Sequence, residues 1–195
     1  MKTTRLSEQE KEKISGILEI YTAVQSEGSR MGYPTVVVRT TGCTHRCFFG
    51  DGGWCDSFYT SIHPEKAKYG FHDIVKMYDK NPHIKEMMLT GGSPTLWPKL
   101  VNELTIFAKE RGILITIETE GSHYLETEEP IGLLSISPKL SNSIPKIGEK
   151  TPQGQIVDEK FIKRHNKFRL RYDNIARSIM YHDNFHFKFV MDKEL

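Results

Sequence analysis

The segment Thr35-Val36-Val37-Val38-Arg39-Thr40-Thr41-Gly42-Cys43-Thr44-His45-Arg46-Cys47-Phe48-Phe49-Gly50-Asp51-Gly52-Gly53-Trp54-Cys55-Asp56-Ser57 joins a short β-branched run to all 3 cysteines of the chain. Thr35 to Arg39 suits a buried strand, because branched side chains pack well on a pleated surface. The run leads straight into a loop dense in thiols. A strand followed at once by a chemically loaded segment recurs downstream. Ile84 to Leu89 runs into Thr90-Gly91-Gly92-Ser93-Pro94, Ile113 to Ile117 into Glu118-Thr119-Glu120-Gly121, and Leu133 to Ile136 into Ser137-Pro138-Lys139. Phe71, Ile74, Val75 and Tyr78 fall at helical spacing, as do Leu100, Val101, Leu104, Phe107 and Ala108, the latter helix stopping near Gly112. Strands alternating with helices predict an α/β fold with a mostly parallel sheet and right-handed crossovers. In such sheets functional sites gather at the carboxyl ends of the strands, so the loaded segments are expected on one face.

Outward from this frame, Ile17 to Val24 alternates apolar and polar residues as a half-buried strand does. Gln25 to Gly32 is a turn-rich connection. Phe161 to Tyr181 reads as one or two helices with Phe168, Tyr172, Ile175 and Ile179 as the apolar stripe, and Phe185 to Met191 as a closing strand. Residues 1–195 are expected to form a single domain, with 1–13 a polar extension and 141–154, rich in Ser, Pro, Gly and Lys, a mobile surface loop. A net charge of +2 makes no general case for nucleic acid. No apolar run is long enough to span a bilayer, and the polar start is expected to carry no secretory signal. Together with the cysteine usage this reads as a cytoplasmic protein with reduced thiols rather than a disulfide frame.

An iron-sulfur cluster normally takes four cysteine ligands. Three thiolates with no fourth in the chain hold three irons of a cubane and leave one iron open to an organic chelate. The competing reading is a zinc site built from Cys43, Cys47 and Cys55 with His45 or His63. Gaps of 3 and 7 residues between the cysteines, without a second close pair, do not follow the usual zinc pattern. The remaining histidines are dispersed and are taken as surface or packing residues.

The order of motifs resembles the radical S-adenosylmethionine superfamily, and within it the 7-carboxy-7-deazaguanine synthase family. Gln25-Ser26-Glu27-Gly28 is similar to that family's opening Gln-Gly-Glu-Gly. Val38-Arg39 before Cys43, Trp54-Cys55-Asp56-Ser57, Thr90-Gly91-Gly92, Glu118-Thr119-Glu120-Gly121 and Ser137-Pro138-Lys139 match the later motifs in order. The resemblance implies an incomplete or modified TIM-type β/α barrel. It also implies conversion of 6-carboxy-5,6,7,8-tetrahydropterin to 7-carboxy-7-deazaguanine by radical ring contraction with loss of ammonia. It implies a 4Fe-4S cluster on Cys43, Cys47 and Cys55, S-adenosylmethionine on the open iron, and magnesium on Ser57. Trp54, Asp56, Gly92, Ser137, Pro138 and Lys139 would bind the cofactor. Val24, Gln25, Ser26, Glu27, Arg39 and Thr90 would bind the pterin, with Glu118 in proton transfer. An electron donor of the flavodoxin or ferredoxin kind and a homodimer are further implications.

Read as residues alone, Trp54 also suits core packing, Gly92 an ordinary turn, Arg39 a structural ion pair, and Glu27 and Ser57 the capping of turns. The runner-up within the superfamily is an activating enzyme for anaerobic ribonucleotide reductase; outside it, a zinc-binding module without catalysis. Four departures stand out. The second cysteine gap is lengthened by Phe48 to Gly53, read as a surface excursion. Ser93 stands where the superfamily often keeps a glutamate near the methionine amine, and Ser26 where the family has glycine. The chain ends at Leu195, before a further strand and tail usual in the family, and is read as shortened at that end.

Overall fold

The computed structural model describes residues 6–50 and 53–191. In chain order the elements are α1 (Glu8–Glu12), β1 (Ile17–Val24), β2 (Pro34–Thr40), β3 (Phe48–Phe49), β4 (Gly53–Trp54), α2 (Phe58–Ser61), α3 (Phe71–Lys80), β5 (Glu86–Gly91), α4 (Pro98–Arg111), β6 (Leu114–Thr119), β7 (Leu133–Ile136), α5 (Glu159–Arg169), α6 (Tyr172–Tyr181) and β8 (Phe185–Phe187). The six-stranded sheet runs β1-β2-β5-β6-β7-β8. β1 pairs antiparallel with β2; every later pair is parallel. The alternating pattern therefore produces the expected parallel α/β sheet, open rather than closed by strand pairing, as in a partial barrel. Among the described residues no helix is long and apolar enough to cross a membrane.

Strand periodicity divides the side chains between two environments. Val36, Val38, Met87, Leu89, Ile115 and Ile117 join the core with Phe71, Ile74 and Tyr78 of α3 and Leu100, Val101, Leu104 and Phe107 of α4. The intervening residues Val37, Arg39, Met88, Thr90 and Glu118 line a cavity. Local chemistry sets the helix ends. Asp158 accepts the Phe161 amide at 2.8 Å to cap α5, and Pro98 opens α4, where a missing amide hydrogen costs nothing. Gly112 ends α4 in the left-handed conformation at φ 63°.

Several expectations need adjustment. The closing strand stops at Phe187 rather than Met191, because β7 ends at Ile136, whose carbonyl takes the Lys188 amide at 2.8 Å and leaves no ladder beyond. The helical region splits at Leu170, which is extended, so the two helices bury different stripes. Phe161, His165 and Ile175 are buried whereas Tyr172 is 70% exposed. The lengthened cysteine gap is a hairpin in which Phe48 pairs with Trp54. Phe48 is buried against the Trp54 ring at 5.1 Å, and Trp54 meets Phe161 at 6.0 Å, so the base of the insertion is packed rather than a free excursion. Within 141–154, Ser143 and Thr151 are buried and the Lys150 carbonyl accepts the Trp54 indole N–H at 2.8 Å. Residues 1–5 of the polar extension, Asp51 and Gly52 of the lengthened cysteine gap, and Leu195 lie outside the described residues.

Leu104 is fully buried between α4 and the sheet. Leu104→Ala should lower the unfolding free energy by about 2–5 kcal/mol, through lost transfer energy and the cavity left behind. Urea unfolding followed by circular dichroism measures it; a loss below about 1 kcal/mol would mean that this helix does not pack as described.

Candidate active site

One rung of the sheet is polar from edge to edge. Glu19 of β1 is in register with Arg39 of β2, and Arg39 with Thr90 of β5. Glu118 of β6, one rung past the Leu89–Ile117 pair, is in register with Ser135 of β7, and Ser135 with His186 of β8. Neighbours are joined by hydrogen bonds: Arg39 Nε to Glu19 at 2.7 Å, Thr90 Oγ1 to Glu118 at 2.7 Å, and His186 Nε2 with Ser135 Oγ at 2.8 Å. In-register parallel pairing places side chains of one rung side by side on one face, which brings residues distant in sequence together. Above this rung, the loops at the strand ends enclose a cavity of about 680 Å³.

The cysteine loop forms one wall. Cys43, Cys47 and Cys55 are free thiols that all line the cavity. Burial drives the Cys43 thiol well above its ordinary pKa, pushes Cys47 up to about 12 and raises Cys55. Neutral, protonated thiols are what a cationic iron or zinc centre would deprotonate on binding, so the donor set fits a thiolate-held metal group. The loop is held from behind by His165 of α5. Its Nδ1 accepts the Arg46 amide at 3.0 Å, which leaves the ring proton on Nε2 to reach Ser143 Oγ at 3.1 Å. Burial lowers the His165 pKa to about 3, so this ring is neutral and structural. The Arg46 guanidinium closes the same turn by donating to the carbonyls of Cys43 at 3.0 Å and His45 at 2.6 Å.

Beside the first thiol, atoms of Cys43, His45 and Glu120 lie within 4.8 Å of one another. Glu120 Oε1 accepts hydrogen bonds from Ser93 at 2.8 Å and from Ser122, while Oε2 and His45 Nε2 have no hydrogen-bond partner among the described residues. The carboxylate on this side of the cavity is thus Glu120, reaching across to Ser93. Gly92 serves close approach of the backbone: its amide meets the Thr40 carbonyl at 3.0 Å, and a Cβ would collide with the carbonyl oxygen of Gly42.

On the opposite side Arg39 is shared between Glu19, Tyr21 at 3.1 Å and Ser57 Oγ at 3.2 Å. It is therefore both a structural ion pair and a cavity residue. Ser57 sits at the start of α2 yet its hydroxyl does not cap the helix; it donates to Asp56 at 3.1 Å. Glu118 takes hydrogen bonds on both oxygens, from Thr90 and from Lys188 Nζ at 2.7 Å. Burial acts to raise the Glu118 pKa, but Lys188, Thr90 and Arg39 together outweigh it and hold the carboxyl below its usual range.

Of the residues singled out from the sequence, Val24, Ser26, Glu27, Arg39 and Thr90 line the cavity, as do Asp56, Ser57, Gly92, Glu118, Ser137 and Lys139. Lys139 Nζ donates to Ser137 Oγ at 2.6 Å and tempers the burial of Cys47 and Cys55. Gln25, Trp54 and Pro138 do not line it. Gln25 is buried, its Nε2 without a hydrogen-bond partner among the described residues, and Trp54 belongs to the packing of the hairpin. His63 meets Thr151 at 3.4 Å and is likewise absent from the cavity wall, whereas His45 is part of it. Sequence reasoning passed over Lys188, Tyr21 and the pairing of Glu120 with Ser93. A signal for Lys188 existed: it alternates with phenylalanines in Phe185-His186-Phe187-Lys188-Phe189, which puts His186 and Lys188 on one face.

No family model matches the chain. It is 37% identical over 154 residues to a 7-carboxy-7-deazaguanine synthase of Halobacterium salinarum, covering 79% of this chain and 55% of that protein. A protein of the same name from Rhodopirellula baltica is 31% identical over 176 residues, covering 90% of this chain and 62% of the relative. The chain thus spans a little over half the length of these curated relatives. The fold is similar to the crystal structure of QueE from Escherichia coli, with a TM-score of 0.55 at 22% identity, over 83% of this chain and 73% of that one. The shared order of motifs and the sequence identity relate the chain to the 7-carboxy-7-deazaguanine synthase family, and the structural likeness shows the same fold.

Proposed function

We propose that the cavity is a radical S-adenosylmethionine active site that converts 6-carboxy-5,6,7,8-tetrahydropterin into 7-carboxy-7-deazaguanine and ammonia. One observation carries the reading: three free thiols, Cys47 buried and Cys43 and Cys55 partly so, share a single cavity with Arg39, Thr90 and Glu118 at the carboxyl ends of parallel strands. Cys43, Cys47 and Cys55 would hold a 4Fe-4S cluster, and Asp56, Gly92, Ser137 and Lys139 would face S-adenosylmethionine. When bound, these groups would supply the radical chemistry that activates a carbon–hydrogen bond of the substrate.

The chain's own residues do the rest. Val24, Ser26, Glu27 and Thr90 bound the pterin, and Arg39 Nη1, next to Ser57 Oγ, addresses its carboxylate. Ser57, free of a capping role, is the oxygen ligand offered to magnesium, which takes few protein ligands beside substrate and water. Glu118 is held ionised and takes a proton from the ring at a carboxylate oxygen, then returns it to the departing ammonia. Substrate then equals product plus ammonia without a proton from solvent. One-electron delivery by a small flavodoxin- or ferredoxin-like donor, and with it a cytoplasmic setting, belongs to the same reading. The exposed row Phe185, Phe187 and Phe189 is the apolar surface that suits pairing of two chains.

Anaerobically reconstituted protein should contain about four irons and four sulfides per chain. Cys43→Ala, Cys47→Ala and Cys55→Ala should each abolish cleavage of S-adenosylmethionine. One bound zinc in place of iron, or full cleavage by any of these variants, overturns the cluster.

Arg39→Ala should weaken carboxypterin binding about 30-fold, or about 2 kcal/mol, as expected for a charge-assisted contact partly shared with Glu19. Ser57→Ala should lower turnover and blunt stimulation by magnesium while iron content stays intact. Both are read by equilibrium dialysis and product mass analysis. Intact, reduced protein that cleaves S-adenosylmethionine but leaves the carboxypterin unchanged would refute the substrate assignment. A glycyl radical on a large partner protein would instead favour the activating-enzyme reading.

A further inference from the structure

The rung of polar residues ends at β8, and just beyond it Lys188 occupies a position that nothing in the reaction described so far uses. Its amide is fixed on the Ile136 carbonyl at 2.8 Å, so the backbone is held by the sheet. Its ammonium donates to Glu118 Oε1 at 2.7 Å and to Glu27 Oε2 at 2.6 Å. Glu27 lies in the β1–β2 connection, 161 residues away in sequence and at the other edge of the sheet. Two residues on, Ser29 Oγ meets His186 Nδ1 at 3.3 Å. Between them Gly28, at φ +72°, presents a face on which a Cβ would touch the His186 ring at 2.8 Å. The two sheet edges, not joined by strand pairing, are therefore joined over the cavity by polar side chains.

We propose that Lys188 is a positioning residue of the pterin site: by bridging Glu118 to Glu27 it keeps Glu118 ionised and aimed into the cavity, and holds the β1–β2 connection over the substrate. This rests on the proposed deazaguanine reaction, in which Glu118 is the proton-transferring group.

The charge logic is local. Glu118 is largely enclosed, and burial alone favours its neutral form. The groups facing it are Thr90 from β5, Lys188 from beyond β8 and Arg39 from β2. Arg39 is already engaged by Glu19, and Thr90 is neutral, so Lys188 is the cation in direct contact. Glu27 is mostly exposed and shares the ammonium, which steadies Lys188 without neutralising its effect on the drier partner. Burial disfavours the charge of Lys188 too, but Glu118 and Glu27 outweigh it and raise its pKa, so it stays protonated. Removing the ammonium takes away the largest of the influences that depress the Glu118 pKa and leaves Thr90 and Arg39 alone against burial. The ionised form then persists only at higher pH, and activity that needs it fails earlier on acidification.

The test compares wild type, Lys188→Met and Lys188→Arg as cluster-loaded proteins. In Lys188→Met the acidic limb of the kcat/KM profile for the carboxypterin should move up by about one to three pH units, the effect of losing an opposite charge in contact. Lys188→Arg, which keeps the charge, should hold the limb near the wild-type position. Carboxyl carbon NMR of glutamate-labelled, oxidised protein, with the Glu118 signal assigned from Glu118→Gln, reads the same titration without substrate. An unmoved Glu118 titration in folded Lys188→Met overturns the proposal, even where that variant is less stable or less active. Wild type that shows the Lys188-dependent titration but never converts the pterin refutes the deazaguanine reaction and leaves the Lys188–Glu118 coupling standing as a property of the cavity.

Discussion

The parallel register of β2, β5, β6, β7 and β8 is the constraint on which the rest of the molecule depends. A parallel ladder fixes which residues of different strands stand at one level, and it sends every strand's carboxyl end to the same side. From this follow both the polar rung from Arg39 to His186 and the gathering of the cysteine loop, Thr90-Gly91-Gly92, Glu118 to Glu120 and Ser137 to Lys139 around one cavity. The opposite face, with Val36, Val38, Leu89, Ile115 and Ile117, is given to α3 and α4. The apolar side supplies the free energy of folding, and a single phase of alternation assigns the polar side to chemistry.

Electrostatically the cavity has two halves. Around Cys43, Cys47 and Cys55 burial dominates, and the thiols resist ionisation until a cationic group neutralises them. Around Glu118 the balance is reversed: burial is present, but Lys188, Thr90 and Arg39 overcome it. One cavity can therefore hold a neutral thiol wall ready for metal and an ionised acid a short way along the sheet. Environment, rather than residue type, separates the roles.

The structural supports of the site lie outside it. His165, a neutral ring in α5, holds the Arg46 amide and so fixes the loop between the first two thiols. The hairpin inserted before Cys55 packs Phe48 on Trp54, and Trp54 on Phe161 of the same helix. Length added between ligands costs little when its ends are pinned by packing. Trp54 thereby contributes to the site through position, as its size and type also allowed.

Much of this was legible in the residues. Periodicity identified the strands and α3 and α4, since each buries a face and so repeats its apolar residues with the period of the element. The motifs at strand ends named most of the cavity wall, because parallel topology carries those ends to one side whatever the detailed packing. What sequence could not determine depends on distances across the fold. The burial that sets the three thiol pKa values, the exclusion of Gln25 and Trp54 from the wall, the reach of Glu120 to Ser93 and the bridge from Lys188 to Glu27 and Glu118 all arise from neighbours far apart in the chain. The end of β8 at Phe187 was decided by where β7 ran out of free carbonyls. Local sequence determined the elements and their faces; which side chains meet, and in what charge state, was decided only when the parallel sheet brought its two edges together over one cavity.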